Sequence, residues 1–219
     1  MTLTYAQSID GCIAASKNQK LVLSGPTSML MTHELRAMHQ AILVGKGTVF
    51  ADDPRLTARL SQDVRNPRPV VLDSKCTIRP TAALFKRQHT ELLPIIYTAP
   101  LDGDGRARKN ALEENTNAEV VSLRADKGTS VPLEKMLCNL YDKGVSTVMV
   151  EGGSRVITSF LEQSYLVDFV IVTICPKFVA GGVPSVVPQS SKGGNHLDLK
   201  NANWTVLGDD VIVSGSLRE

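Results

Sequence analysis

Short apolar runs alternate along this chain with stretches in which apolar residues recur every third or fourth position. The first pattern predicts buried strands and the second predicts helices with one apolar face. Strands are expected at residues 3–9, where Asp10-Gly11 closes the run as a turn, and at 41–44, 69–72, 92–97, 118–122, 147–150 and 167–175. Helices are expected at 27–40, 106–115, 131–142 and from 154 to about 163. In the first of these Leu30, Met31, Leu35 and Met38 fall at helical spacing, with Thr27 or Ser24 as the cap; in the third Leu133, Met136, Leu137 and Leu140 share a face and Gly144 follows the end. Residues 204–207 and 211–216 read as a closing hairpin around Gly208-Asp209-Asp210. The stretches 61–68 and 176–195 read as loops, and the second is rich in glycine and proline. Strand-helix alternation of this kind predicts an α/β fold: a mixed, mostly parallel sheet with helices on both faces and a C-terminal antiparallel hairpin. With no internal repeat and no linker, residues 1–219 are expected to form one domain.

Composition narrows the function classes. Hydrophobic residues make up 42% of the chain and charged residues 21%, as in soluble globular proteins, and the formal net charge of +2 offers no basic field for nucleic acid. No apolar run approaches the ~18 residues of a membrane span, and the start of the chain carries no targeting leader, so a cytoplasmic protein is expected. Cys12, Cys76, Cys138 and Cys175 are widely spaced and expected to be reduced thiols. No metal is expected, since His33 and His39 do not share a helical face.

Candidate chemistry concentrates where strands end in glycine. The segment Ile42-Leu-Val-Gly-Lys-Gly-Thr-Val-Phe-Ala-Asp-Asp-Pro-Arg-Leu-Thr-Ala-Arg59 runs from a buried strand through a glycine-bounded turn and a short helical turn into an acidic corner with two arginines. Its backbone N–H groups suit a phosphate, Asp52 and Asp53 offer acceptors, and Arg55 and Arg59 offer donors to a second anion. A second glycine site, Val148-Met-Val-Glu-Gly-Gly-Ser-Arg-Val-Ile157, opens a helix N-terminus suited to a pyrophosphate, although a tight βα turn reads the same way. Glu151 separates the two readings: a carboxylate at the carboxyl end of a buried strand lies where α/β sheets bind ligands. Gln7 and Ser8 end the first strand, where their side chains meet a ligand space, whereas Asp10-Gly11 reads as a turn. Arg36 is either a surface arginine or a partner of Arg59 on a substrate phosphate. Asp73-Ser74-Lys75 ends a strand at the position that meets an adenosine ribose, and its mixed character leaves NADH and NADPH both open. No Gly-x-Ser-x-Gly elbow and no Cys-His pair is present, and the four histidines, His33, His39, His89 and His196, are expected to be solvated. Hydride transfer needs no protein nucleophile.

With these residues in place, the chain resembles the riboflavin-biosynthesis reductases, the family of the C-terminal reductase domain of bacterial bifunctional deaminase-reductases and of stand-alone fungal and archaeal enzymes. The resemblance rests on Leu3-Thr-Tyr-Ala-Gln-Ser-Ile-Asp-Gly11, Thr32-His-Glu-Leu-Arg-Ala37, the 42–59 segment, Asn66-Pro-Arg-Pro-Val-Val-Leu-Asp-Ser74, the 148–157 segment, and Leu166-Val-Asp168 with Pro176-Lys177; the fungal stand-alone form is the most similar. It implies a dihydrofolate-reductase-like fold, a homodimer, and NADPH-dependent reduction of the ribosyl group of a diamino-ribosylamino-pyrimidinone 5′-phosphate to a ribityl chain, with hydride delivered to the carbon attached to nitrogen. It further implies that Ala6, Thr48, Asp52, Ser74 and Gly152-Gly153-Ser154-Arg155 contact the cofactor, and that Arg36, Leu56, Arg59 and Glu151 contact the substrate; Glu151 is the expected catalytic residue, orienting the ribose chain or the proton-bearing group. Ser8 joins them as a substrate-side candidate. The chain departs from many bacterial members in having Cys12 where they carry Lys or Arg, and it contains no P-C-x-x-C, so zinc-dependent deamination is not expected of these residues. A folate- or pterin-type reductase and a non-catalytic nucleotide-binding protein on the same fold are the alternative readings.

Overall fold

The computed structural model describes residues 1–16, 21–60, 64–86, 92–126, 128–187 and 196–218. His89 and parts of the two expected loops (61–63 and 188–195) lie outside them. In chain order the elements are β1 (Thr2–Ser8), β2 (Cys12–Ala14), α1 (Pro26–Met38), β3 (Ala41–Gly45), α2 (Lys46–Asp52), β4 (Arg68–Leu72), β5 (Ile95–Thr98), α3 (Gly103–Asn115), β6 (Glu119–Ser122), α4 (Leu133–Asp142), β7 (Val148–Val150), α5 (Ser154–Glu162), β8 (Phe169–Cys175), β9 (Val183–Pro184), β10 (Lys200–Leu207) and β11 (Asp210–Ser216).

Nine strands form one sheet in the order β10-β11-β8-β1-β7-β3-β4-β5-β6. The seven strands from β8 to β6 are parallel, and β11 and β10 add antiparallel pairs at one edge. The neighbouring strands β3 and β7 are apolar at every position because both their faces are covered. In β3, Ala41 and Leu43 join a core with Met136 and Leu140 of α4 and Ile157 and Phe160 of α5. Ile42 and Val44 join the opposite core with Val49 of α2 and Leu112 of α3. Burial of each such side chain is worth about 1.5–3 kcal/mol, and this fixes the register of the middle of the sheet.

α1 departs from its pattern. Leu30 is 50% exposed and Met38 74% exposed, while the residues it buries are Ser28 and His33. Its inward face is polar because polar groups hold both ends. Asp210, at the start of β11, accepts from the Gly25 amide at 2.8 Å and from the Ser28 hydroxyl, and the His39 ring meets the Thr2 hydroxyl at 3.0 Å. The cap is therefore neither Thr27 nor Ser24: Gly25 precedes the helix and the carboxylate arrives from the C-terminal hairpin. The stretch expected as a loop at 176–195 also carries structure, since β9 pairs with β2 and the Ser185 amide donates to the Gly11 carbonyl at 2.8 Å.

Candidate active site

Because β1, β7, β3 and β4 are parallel neighbours, their carboxyl ends, Ser8, Val150, Gly45 and Leu72, open along one edge of the sheet. This is the edge at which open α/β sheets take ligands. Glu151 follows β7 directly, and its backbone N–H donates to the Leu43 carbonyl at 2.9 Å, extending the ladder by one bond. Its carboxylate meets Arg36 of α1 in a two-pronged pair, Nε to Oε1 and Nη2 to Oε2, both at 2.6 Å. The two side chains are only 13% and 15% exposed. Arg36 Nη1 also donates to the Thr57 carbonyl at 3.1 Å, so one arginine ties α1, β7 and the loop after α2 together.

Gly152 and Gly153 have φ of +80° and +83°, where a side chain is strained, and a Cβ on Gly152 would stand 2.9 Å from the Ile157 side chain. The Gly152 carbonyl accepts from the Gly45 amide at 3.3 Å and from the Thr48 hydroxyl at 3.2 Å, which stitches the two glycine turns to each other. α5 begins after Gly153 with no side-chain cap, leaving its positive end toward the crevice mouth. The Ser154 hydroxyl turns away to the Pro184 carbonyl, and the Val187 amide donates to Thr158 at 2.8 Å, so residues 183–187 strap the first turn of α5. Arg155 is exposed beside it.

On α2, Thr48 and Asp52 lie one turn apart and share a face. Asp53 ends the helix in the left-handed region and accepts from the Ala83 amide at 2.8 Å, which gives it a structural task, whereas Arg55 is exposed. Leu56 is buried with φ of +54°. Arg59 is exposed, and its Nε–H reaches His33 Nε2 at 3.2 Å. His33 is not solvated as expected: it is 6% exposed, and burial, followed by the positive charges of Arg36 and Arg59, holds its pKa below 6.5 against the opposing pull of Glu151. The residue was missed, although its spacing of three from Arg36 places both on one face of a helix.

After β4, Asp73 is fully buried and accepts from the amides of Thr77 and Ile78 and from the Thr77 hydroxyl, with Lys46 Nζ at 3.7 Å. Ser74 beside it is half-buried and Lys75 is exposed. On β1, Ala6 is half-buried, whereas Ser8 is fully buried. The Ser8 hydroxyl donates to Asp10 at 2.6 Å and accepts from the Cys12 amide at 2.9 Å, so Ser8 shapes the turn rather than lining the crevice. Asp10 does more than turn the chain: it takes the amides of Val179 and Ala180 at 3.1 and 2.8 Å. The Ser8 hydroxyl bond and then these amides lower its pKa. The four cysteines are free, and burial pushes the thiols of Cys76 and Cys175 up to about 11, leaving both protonated and un-nucleophilic at neutral pH. Among the described residues no group of three or more His, Cys, Asp or Glu is placed to hold a metal.

Residues 1–213 match the model of the RibD C-terminal domain family. The chain is 30% identical to the 2,5-diamino-6-ribosylamino-4(3H)-pyrimidinone 5′-phosphate reductase of Eremothecium gossypii, over 99% of this chain and 87% of that protein. Its structure superposes on the riboflavin biosynthesis reductase Rib7 of Saccharomyces cerevisiae with a TM-score of 0.75 and 28% identity, covering 98% of this chain and 88% of that one. Dihydrofolate reductase from Enterococcus faecalis, solved with NADP(H), shares the fold at a TM-score of 0.51 and 15% identity, over 99% of this chain and 96% of that one.

Proposed function

The chain belongs to the RibD C-terminal domain family, and from that premise we propose that it reduces the ribosyl group of 2,5-diamino-6-ribosylamino-4(3H)-pyrimidinone 5′-phosphate to the ribitylamino product in riboflavin biosynthesis. The observation that carries this reading is the meeting of two unlike sites on one sheet edge. The stitched glycine turns with Thr48 stand beside the Arg36–Glu151 pair and the outlying Arg59.

The glycine turns and α5 fit a pyrophosphate-bearing cofactor, because the backbone at Gly152 and Gly153 presents no Cβ and the helix end is positive. We assign Ala6, Thr48, Asp52, Ser74, Gly152, Gly153 and Arg155 to it; Ser154 contributes backbone, its hydroxyl being held by Pro184. NADPH is favoured over NADH by Asp73. An acidic residue at this place suits a free ribose 2′-hydroxyl, but this carboxylate is fully buried and turned to its own loop. Ser74 and Lys75 are left to meet the ribose, and both suit a 2′-phosphate. When bound, the cofactor supplies a hydride.

On the substrate side, Arg59 has no acidic residue within ion-pairing distance among the described residues and is the phosphate ligand. Arg36 is committed to Glu151 and orients it. Glu151 holds the ribose hydroxyls so that the C1′ carbon of the ring-opened imine faces the cofactor site. The hydride adds to that carbon and a proton adds to its nitrogen, giving the secondary amine of the ribityl product. Buried Leu56 fixes the pivot between the cofactor helix and Arg59.

A homodimer completes this reading. Trp204 and Val206 of the edge strand β10 are 66% and 74% exposed. They sit in register with Val213 and Val211, and these with Val172 and Ile174 of β8, making a partly open apolar sheet face suited to a second copy. Within β8, an interior strand, this face takes alternate residues only. No helix among the described residues is long and apolar enough to cross a membrane, and four free cysteines suit the cytoplasm. The test is NADPH oxidation on adding the ribosylamino-pyrimidinone 5′-phosphate, with the ribityl product identified by mass. Cofactor binding without turnover on this substrate would overturn the reading in favour of a non-catalytic nucleotide-binding protein.

A further inference from the structure

We propose that His33 is the positioning residue for Arg59: its neutral ring accepts the Arg59 Nε–H at Nε2 and holds the guanidinium ready for the substrate phosphate. The inference rests on the assignment of Arg59 to the phosphate and adds a residue and a protonation state to it.

Three observations carry it. Arg59 is exposed, and an exposed arginine loses rotamer freedom on binding unless something holds it beforehand. His33 is almost wholly buried under it, on the polar inward face of α1, at 3.2 Å from Nε. The bond uses Nε, and among the described residues no hydrogen bond of the terminal nitrogens is seen, which leaves them for a two-pronged contact with an anion. Arg59 offers a donor to each ring nitrogen, its amide 3.3 Å from Nδ1 and its Nε 3.2 Å from Nε2, and a neutral ring accepts at one of them; the acceptor assigned is Nε2. Thr57 is held by Arg36, so residues 57–59 are clamped from both sides by residues of one helix face.

The arrangement works only with a neutral imidazole. The charged groups facing His33 are Arg36 from α1, Arg59 from the loop after α2, and Glu151 after β7. A protonated ring would stand as a third cation against one carboxylate, and it would have no lone pair for Arg59. Phosphate affinity should therefore fall as His33 takes up a proton.

The experiment compares His33→Leu, which removes the acceptor, with His33→Gln, whose amide oxygen can replace Nε2. Ribose 5-phosphate binding is measured by calorimetry between about pH 5.5 and 8, together with KM and kcat for the pyrimidinone phosphate, with NADPH binding as the control for folding. In His33→Leu the Kd for ribose 5-phosphate and the substrate KM should rise about tenfold, as expected for losing a hydrogen bond to a charged group, with kcat nearly unchanged. His33→Gln should stay within about threefold of wild type, since it keeps that bond. On acidification wild type should lose ribose 5-phosphate affinity more steeply than His33→Gln; the difference cancels the second ionisation of the phosphate itself, near pH 6. Wild-type affinity in His33→Leu, or parallel pH profiles for wild type and His33→Gln, would overturn the proposal. Should His33→Leu fail to bind NADPH, the profile comparison decides alone. Loss of pyrimidinone reduction with His33-dependent ribose 5-phosphate binding intact would refute the proposed activity but not this inference.

Discussion

Replacing Glu151 by Gln removes one charge from the Arg36–Glu151 pair with little change of shape. Both side chains are more than four-fifths buried, so Arg36 would keep its charge with no carboxylate against it. Removing one partner of a buried pair costs about 3–5 kcal/mol. The residual exposure, and the single acceptor that Gln retains, bring the expected loss to about 2 kcal/mol. For a chain of 219 residues this corresponds to a fall in Tm of about 4–8 °C. Arg36→Met should cost a similar amount, since it strands the carboxylate. The double variant should be scarcely worse than either single one, giving a coupling of about 1.5–2 kcal/mol. Urea unfolding of the four proteins closes the cycle. Losses that add to within about 0.5 kcal/mol would refute the pairing. The same variants divide stability from chemistry: kcat should drop in Glu151→Gln even at temperatures where the protein is fully folded.

Other perturbations probe the remaining parts of the site. Gly152→Ala should lower stability by about 1–3 kcal/mol and weaken NADPH binding, because the left-handed backbone and the 2.9 Å approach to Ile157 leave no room for a methyl group; unaltered melting would contradict the turn geometry. Arg59→Ala should raise substrate KM at least tenfold, in line with about 1.5–3 kcal/mol for a charged hydrogen bond, while NADPH binding holds. Asp210→Ala should destabilise by about 1–3 kcal/mol, because the Gly25 amide and Ser28 hydroxyl lose their acceptor, and it should raise substrate KM through α1. His33 has a folded pKa below the 6.5 of the unfolded chain, so its contribution is complete above pH 6.5 and is lost as pH falls through the lower, folded value; across that window the Tm of wild type should fall faster than that of His33→Gln. Trp204→Glu should give monomers by sedimentation if the open sheet face joins two copies.

The sheet and its helices were legible in the sequence because β3 and β7 carry apolar runs that burial on both faces requires, because β8 carries a long apolar run buried on one face, and because glycine marks the strand ends where ligands approach. The paired roles of Glu151 and Arg36 were only half legible: a carboxylate at a strand end signals a site, but no spacing announces a partner 115 residues away. α1 departs from its pattern, since Leu30 and Met38 point outward and the residues it fully buries are Ser28 and His33. That inversion follows from Asp210, which caps the helix across 185 residues and supplies in three dimensions what the local sequence lacks. The short strands β2 and β9 escaped notice because two or three residues hold no periodicity; their pairing is set by Asp10 and the strap at 183–187. Ser8 and Ser154 had the right address, but their hydroxyls are spent on neighbouring backbone and turn groups.

The central claim is that the edge formed by Gly152, Thr48, Glu151 and Arg59 brings a nicotinamide cofactor to the C1′ carbon of a phosphorylated ribosylamino-pyrimidine. Its most direct test is single-turnover reduction with NADPH deuterated at the transferring position of the nicotinamide, followed by mass spectrometry of the product fragments. The account expects one deuterium on the ribityl carbon bonded to nitrogen. Deuterium in the pyrimidine ring, or a reduced product carrying none, would contradict it.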